Sequence, residues 1–172
     1  MIKGYKFITS KNKSLNGNIT WKLNEWQETQ ESLKLCESGF HACRTPLESL
    51  QFIYGDKFCI VEADGTIIDG DDKFVASRMR IIKELPTKEI FVRFAIECAK
   101  HTLSNYEQMY PNDNRPRLAV EAAEECLLSN FSKESTLKAE SAAWSAAKSA
   151  ESAESAEKQF QLKKLQKIID GY

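Results

Sequence analysis

The sequence predicts an α+β protein. A small antiparallel or mixed sheet with one short helix precedes a helical half that ends in a long helix rich in alanine and serine. Alternating apolar residues and turn signals dominate the first half of the 172 residues. Helical periodicity takes over after Pro86, and alanine, the strongest helix former, is frequent from residue 136 onwards. We therefore expect two modules, residues 1–85 and residues 86–172.

The composition is that of a globular protein without a strong charge bias. Lysine and arginine total 24, and aspartate and glutamate total 25, so the formal net charge is −1 and does not indicate nucleic-acid binding. The five cysteines, an odd number, favour free thiols in a reducing compartment. With no secretory signal after Met1 and no long apolar run, we expect a protein of the host cytoplasm that does not enter membranes.

The first module reads as strands separated by turns. Asn16-Gly17 is a strong hairpin signal, because both residues tolerate a positive φ. After it, Ile19, Trp21 and Leu23 alternate with polar residues, which predicts a half-buried strand. The predicted strands are residues 4–8, 19–23, 58–63 and 75–81, and the predicted turns are Asn16-Gly17, Asp64-Gly65 and residues 69–72.

One short helix in this module is marked by its first turn. Thr45 can cap the helix, and Pro46 suits its first position. Glu48 can reach back to the backbone of Thr45, which completes a capping box. Gly55 is placed to end the helix.

The second module reads as amphipathic helices. Apolar residues recur at spacings of three and four over residues 91–109, and Pro111 ends that helix. Pro116 can open the next one. The residues predicted to face inward are Phe91, Phe94, Ala95, Cys98, Thr102, Tyr106 and Met109 in the first helix and Leu118, Ala122 and Cys126 in the second.

The alanine-rich segment adds a candidate surface for self-association. Alternating spacings of four and three, typical of a coiled-coil seam, relate Ala139, Ala143, Ala146, Ala150 and Ala153. Alanine buries little area, so this seam would associate weakly by itself. Trp144 stands out among the small side chains and is predicted to make contacts, either as an anchor within the chain or as an interface hot spot.

Two cysteines and a histidine lie close together before the short helix. Cys36, His41 and Cys43 form a C-x4-H-x-C pattern that departs from standard zinc-site spacing, and Cys59 would have to supply a fourth ligand. Cys43 also lies just before a helix N-terminus and two residues from His41, an arrangement that can activate a thiol. The same residues fit a strand packed in a core, which is the interpretation we favour. We therefore predict no metal.

The polar segment NDNRPR is the other candidate site. Asp113, Arg115 and Arg117 could form ion pairs that hold a turn between helices. Equally, Arg115 and Arg117 lie beside a helix N-terminus, where they could bind an anion or a carboxylate of a partner.

The motifs of the first module resemble those of a family of small phage and prophage proteins of unknown function. That family has the pattern LC..GFH.C..PL, then a tyrosine, then VEA.G and an acidic turn. The matching residues here are Leu35, Cys36, Gly39, Phe40, His41, Cys43, Pro46, Leu47, Tyr54, Val61, Glu62, Ala63 and Gly65. The resemblance implies a phage or prophage setting and no particular activity.

The second module resembles a different group, helical proteins described as immunity proteins. These carry a similar helix, then YPNDNRPR and an EAA segment, followed by an alanine-rich stretch. The matching residues are Cys98, His101, Tyr106, Tyr110, residues 111–117 and residues 121–123. This resemblance implies a mobile-element setting.

A fainter likeness connects the first module to ADP-ribosyltransferase-like folds. The order of Gly39, a strand with His41, a short helix and a strand that ends in Glu62 is similar to part of their nicotinamide-binding wall. The likeness implies Glu62 as a catalytic candidate, to which His41 and Cys43 are added as candidates from their own spacing.

Together these patterns predict an accessory protein of a phage or mobile element that acts by binding a protein. We expect a counter-defence inhibitor of a bacterial immune component such as a CRISPR effector, so the partner would be a host protein or a ribonucleoprotein complex. Two alternatives stay open: a divergent ADP-ribosyltransferase-like or nucleotide-binding module, and a virion-associated structural protein. An enzyme is not favoured, and no cofactor is expected, because no phosphate-binding loop or nucleophile elbow is visible.

Overall fold

The computed structural model describes residues 1–14, 16, 19–52, 55–138 and 155–172, with the backbone alone for residues 155–162. Two compact units make up the chain: Met1–Thr87 together with Tyr172, and Lys88–Gly171. The first unit holds an antiparallel sheet and a short helix, and the second holds helices. The α+β class predicted from the sequence is therefore confirmed.

The sheet of the first unit is built around one long hairpin. Within the described residues its strands are β1 (Ile2–Ile8), β2 (Gln27–Glu28), β3 (Phe40–Ala42), β4 (Lys57–Asp69) and β5 (Phe74–Leu85). β4 and β5 form the hairpin, β1 pairs with the other side of β4, and β2 and β3 pair with the other side of β5. All of these pairings are antiparallel.

The chain after β3 returns to β1. Phe40 in β3 lies opposite Ala76 in β5, and Cys43 then exchanges two backbone hydrogen bonds of 2.9 Å with Tyr5 in β1. The sheet therefore curls, and its inner face encloses a hydrophobic core. That core consists of Ile8, Trp21, Phe40, Ala42, Cys59, Val61, Ala63, Phe74, Ala76, Met79 and Ile81.

One of the two turns predicted around β4 is wrong. β4 continues through Asp64 and Gly65, with a bulge between Asp64 and Ile67, and Gly65 takes a φ of +74° within it. The Asp64-Gly65 signal therefore corresponds to a bulge inside β4, where glycine adopts the positive φ easily. The turn predicted at residues 69–72 is confirmed, and there the Gly70 N–H donates to the Lys73 carbonyl at 2.8 Å.

The strand predicted at residues 19–23 is also wrong. These residues form only isolated bridges, although Trp21 is buried and donates its indole N–H to Ser14 Oγ at 2.8 Å. Trp21 thus belongs to the core. The hairpin turn predicted just before it includes Gly17, which lies outside the described residues.

The capping box predicted for the short helix is confirmed. In α1 (Pro46–Ser49), Thr45 Oγ1 accepts from the Glu48 N–H at 3.2 Å, and Glu48 Oε2 accepts from the Thr45 N–H at 2.9 Å. The helix is shorter than predicted, because a 3₁₀ turn at Leu50–Phe52 follows it directly.

The regular structure in the described part of the second unit is helical. It contains α2 (Thr87–Met109), α3 (Arg115–Leu128) and α4 (Ser155–Asp170), and residues 133–138 are helical as well. Lys164 Nζ in α4 pairs with Glu97 in α2 at 2.5 Å. The alanine seam and Trp144 lie outside the described residues.

The buried faces of these helices differ in part from the predicted ones. In α2 the buried residues are Ile90 and Ile96, whereas Met109, predicted to face inward, is 67% exposed. In α3, Ala122 is buried as predicted, but Leu118 is 49% exposed. Apolar residues occur on more than one side of α2, so their spacing alone does not select the face that is buried.

Position 55 requires a glycine because the backbone of Ile8 passes close to it. A Cβ atom at this position would lie 2.2 Å from the Ile8 carbonyl oxygen, so the backbone would have to shift. We expect Gly55→Ala to lower the free energy of unfolding by about 1–3 kcal/mol, because overpacking costs about this much. Urea denaturation followed by circular dichroism measures the change.

Gly171→Ala is the matched control for this substitution. A Cβ atom there meets its nearest neighbour, the Ile168 carbonyl oxygen, only at 3.4 Å, so we expect little loss of stability. An equal loss in the two variants would contradict the role assigned to Gly55.

Candidate functional site

The first unit contains a cavity of about 380 Å³. β1, β3, α1 and the loop that carries Trp21 supply its walls. Three of the residues singled out in the sequence line this cavity, namely Cys36, His41 and Cys43. The structure therefore brings the central motif together around one space.

His41 organises the turn that precedes β3. Its Nε2 accepts a hydrogen bond of 2.9 Å from the backbone N–H of Cys36. Burial lowers the pKa of His41, and the nearby charge of Lys6 lowers it further. A neutral imidazole fits the acceptor role of Nε2, which is no longer free to act as a base toward a substrate.

Cys43 is buried and is held in its thiol form. Burial raises its pKa to about 12, and the negative charge of Glu48 acts in the same direction. Cys59, on the neighbouring part of the sheet, has a pKa raised to about 12, also mainly by burial. Because a thiolate is the reactive form, these surroundings do not activate Cys43 as a nucleophile.

The candidate zinc ligands Cys36, His41, Cys43 and Cys59 do not come together as a metal site in the described structure. Within the described part of the chain, no three His, Cys, Asp or Glu side chains form a group that could hold a metal ion. Cys36 approaches His41 through its backbone N–H, so the imidazole nitrogen that faces Cys36 already has a partner.

Lys6 is the residue of this cavity that the sequence interpretation missed. Its Nζ donates to the His41 carbonyl oxygen at 2.9 Å and lies 5.6 Å from the centroid of the Trp21 ring. Burial lowers the pKa of Lys6 from 10.5 to about 8. The signal was the alternation along β1, since Lys6 falls in register with the inward-facing Ile2 and Ile8.

Glu62 belongs to a separate cluster on the sheet. Arg80, its cross-strand neighbour, donates from Nε at 2.9 Å and from Nη2 at 2.6 Å to Glu62 Oε2. The guanidinium groups of Arg80 and Arg78 lie 4.6 Å and 4.3 Å from the centroid of the Trp26 ring. Glu62 is absent from the described lining of the cavity, and its catalytic role stays a prediction.

The arginines of NDNRPR are held in ion pairs at the turn between α2 and α3. Arg115 donates from Nε at 2.8 Å to Asp113 Oδ1, and Tyr106 donates its hydroxyl at 2.7 Å to Asp113 Oδ2. These donors hold the pKa of Asp113 well below its usual range. Arg117 donates to both carboxylate oxygens of Glu107 at 2.7 and 2.6 Å. About half of each arginine side chain stays exposed.

Comparison with known families gives two matches along the chain. Residues 2–93 match the model of a "Domain of unknown function (DUF7666)", which covers more than half of the chain, and the protein belongs to that family. Residues 82–162 match an "Imm-5 like putative immunity protein". A domain of unknown function followed by an immunity-like helical segment was the composition predicted from the sequence.

The other comparisons add no relative. No curated protein and no solved structure matches the chain. Among the described helices, none combines the length and the apolar character that a membrane span requires.

The environments of the cysteines predict their reactivity. Cys36 is exposed, whereas Cys43 and Cys59 are buried with raised pKa values. At pH 8 we expect a thiol reagent such as 5,5′-dithiobis(2-nitrobenzoate) to label Cys36 at least tenfold faster than Cys43 or Cys59. Peptide mass spectrometry after timed quenching measures each rate.

Cys36→Ser is expected to remove this fast phase and leave the slow phases unchanged. Rapid labelling of Cys43 in the folded protein would contradict the structural role of that thiol. Cys43 would then again be a candidate nucleophile.

Proposed function

We propose that this protein is an accessory factor of a phage or another mobile element and acts by binding a protein partner. The observation that carries the proposal is the match of the helical segment to proteins described as immunity proteins. A protective protein without an evident catalytic centre can act by occupying a surface of its target. The candidate motif in the first unit supports this interpretation, because its histidine and buried cysteine serve the local structure.

The contact surface that we propose lies at the α2–α3 turn. We define this turn surface as Met109, Tyr110, Arg115, Arg117 and Leu118. Met109 and Tyr110 are large apolar residues that remain 67% and 54% exposed. Methionine, tyrosine and arginine are enriched in the cores of protein interfaces, and tyrosine and arginine are frequent hot spots.

The turn surface is also ordered before any partner arrives. The ion pairs of Arg115 with Asp113 and of Arg117 with Glu107 hold both guanidinium groups in place. The Tyr110 ring packs against that of Tyr106, with centroids 4.9 Å apart. Ordering side chains in advance lowers the entropic cost of binding, so this arrangement favours recognition of a second protein.

We further propose that the partner is a component of a bacterial immune system, such as a CRISPR effector. The protein would then be a counter-defence inhibitor that works in the host cytoplasm. A host ribonucleoprotein complex fits this role, because its protein subunits offer surfaces that an inhibitor can block. Trp144 and the alanine-rich segment remain predicted contacts, for this partner or for a second copy of the chain.

Tyr110→Asp tests the turn surface. We expect binding of the partner to weaken at least about tenfold, because a buried hot-spot residue contributes about 2 kcal/mol or more. Partners are first captured with a photo-crosslinking residue at position 110, and the affinity of each purified partner is then measured by calorimetry. Leu128→Asp is the matched control, since Leu128 is 90% exposed at the opposite end of α3.

Three results would count against this surface. These are crosslinking that is no stronger from position 110 than from position 128, equal weakening by the two substitutions, and full affinity of Tyr110→Asp.

A plaque assay tests whether the partner is a CRISPR effector. Expression of the wild-type protein in cells with an active CRISPR system should raise the plating efficiency of a targeted phage by at least tenfold, and Tyr110→Asp should abolish the gain. An isogenic strain without the system is the control. If the plating efficiency is unchanged but a partner is captured at position 110, the partner is not a CRISPR effector, and the proposal of protein binding still holds.

A further inference from the structure

The cavity of the first unit holds a cationic group, and the described residues give it no anionic partner. Lys6 Nζ donates one hydrogen bond to the carbonyl oxygen of His41 and lies near the Trp21 ring. An ammonium group carries three N–H donors, and the hydrogen bonds between described residues use one of them. No carboxylate among the described residues lies within ion-pair distance of Lys6.

The other charged groups of the lining already have partners of opposite sign. Glu37 pairs with Lys34 at 2.7 Å, and Lys73 lies 3.6 Å from Asp72. The charge of Lys6 is therefore the one that a bound anion would compensate. A buried charge without a partner is costly, and such groups recur at binding sites.

The lining also provides apolar surface for the rest of a ligand. Ile19 and Phe52 are half-buried, and both contribute to the wall of the cavity. The volume of about 380 Å³ lies within the range of small-molecule sites, about 300–1,000 Å³. A few polar groups set among aromatic walls are the usual composition of such sites.

We propose that this cavity binds a small molecule that carries a carboxylate or a phosphate on a flat apolar body. Lys6 holds the anionic group, and the side chains of Ile19 and Phe52 contact the apolar part. This site lies within the first unit and does not depend on the proposed binding of a protein partner.

The titratable groups around Lys6 make the expected pH dependence specific. His41 on β3 and the thiols of Cys43 and Cys59 face Lys6, and Cys36, Glu37 and Lys73 line the same cavity. Cys43 and Cys59 stay protonated below about pH 12, and the lowered pKa of His41 keeps it neutral above pH 7. Lys6, with a pKa of about 8, is thus the group facing the cavity that loses its charge between pH 7 and 9.

Anion binding should therefore weaken as the pH rises. The protonated form of Lys6 binds the anion, and in the free protein that form predominates at pH 7 and is the minority at pH 9. We expect the dissociation constant of phenyl phosphate to rise up to about tenfold from pH 7 to pH 9. A constant affinity across this range would overturn the role of Lys6, and this measurement needs only the wild-type protein.

Nuclear magnetic resonance locates the site with defined probes. Benzoate and phenyl phosphate, titrated into the ¹⁵N-labelled full chain, should give saturable shifts at Lys6, His41 and the Trp21 indole N–H. Benzyl alcohol has the ring without the charge and should bind at least tenfold more weakly. A response to one anion alone would assign the site to that class, carboxylate or phosphate. Equal binding of benzyl alcohol, or no saturable shift at these residues with either anion, would overturn the proposal.

Substitution of Lys6 supplies the final test. Lys6→Met keeps most of the length of the side chain and removes the charge. It should weaken the binding of the anion at least about tenfold, as expected for loss of a charged hydrogen bond. Lys3→Met, the same change at an exposed position of β1, is the matched control and should bind like the wild type. Unchanged affinity of Lys6→Met, or equal losses in both variants, would overturn the proposal.

Discussion

The first unit depends on the antiparallel pairing of β4 with β5. β2 and β3 span only two and three residues, too few to be stable as strands by themselves, and both pair with β5. β1 pairs with β4 on the opposite side. The hairpin also supplies much of the inner face of the core, including Val61, Ala63 and Met79. Every other element of the sheet is therefore positioned by this hairpin.

The same pairing determines the chemistry of the cavity. In the register of β1 against β4, Lys6 lies opposite Cys59, so its side chain starts from the face that carries the core. A slip by one residue would turn Lys6 to the other face, because successive side chains alternate. The two hydrogen bonds between Tyr5 and Cys43 bring β3 alongside, and His41 then offers its carbonyl oxygen to Lys6. A strand register thus places a lysine where burial lowers its pKa.

The two units use their charged residues in different ways. In the first unit, Lys6 is enclosed with a backbone carbonyl and without a described carboxylate, which suits a ligand-binding role. In the second unit, Arg115 and Arg117 are paired with Asp113 and Glu107 and remain about half exposed, which suits a prearranged contact surface.

The sequence by itself determined the features that depend on neighbouring residues. The α+β class, the capping box of Thr45 and Glu48 and the turn at residues 69–72 arise from local backbone preferences and periodicity, and each was predicted correctly. Tertiary structure decided the rest. The Asp64-Gly65 signal became a bulge because β5 pairs along β4 on both sides of it, and Lys6 came to line the cavity because distant strands enclose it. Alternation along β1 indicates which face carries Lys6, but the contacts that enclose it join residues far apart in the chain, and local patterns do not specify those contacts.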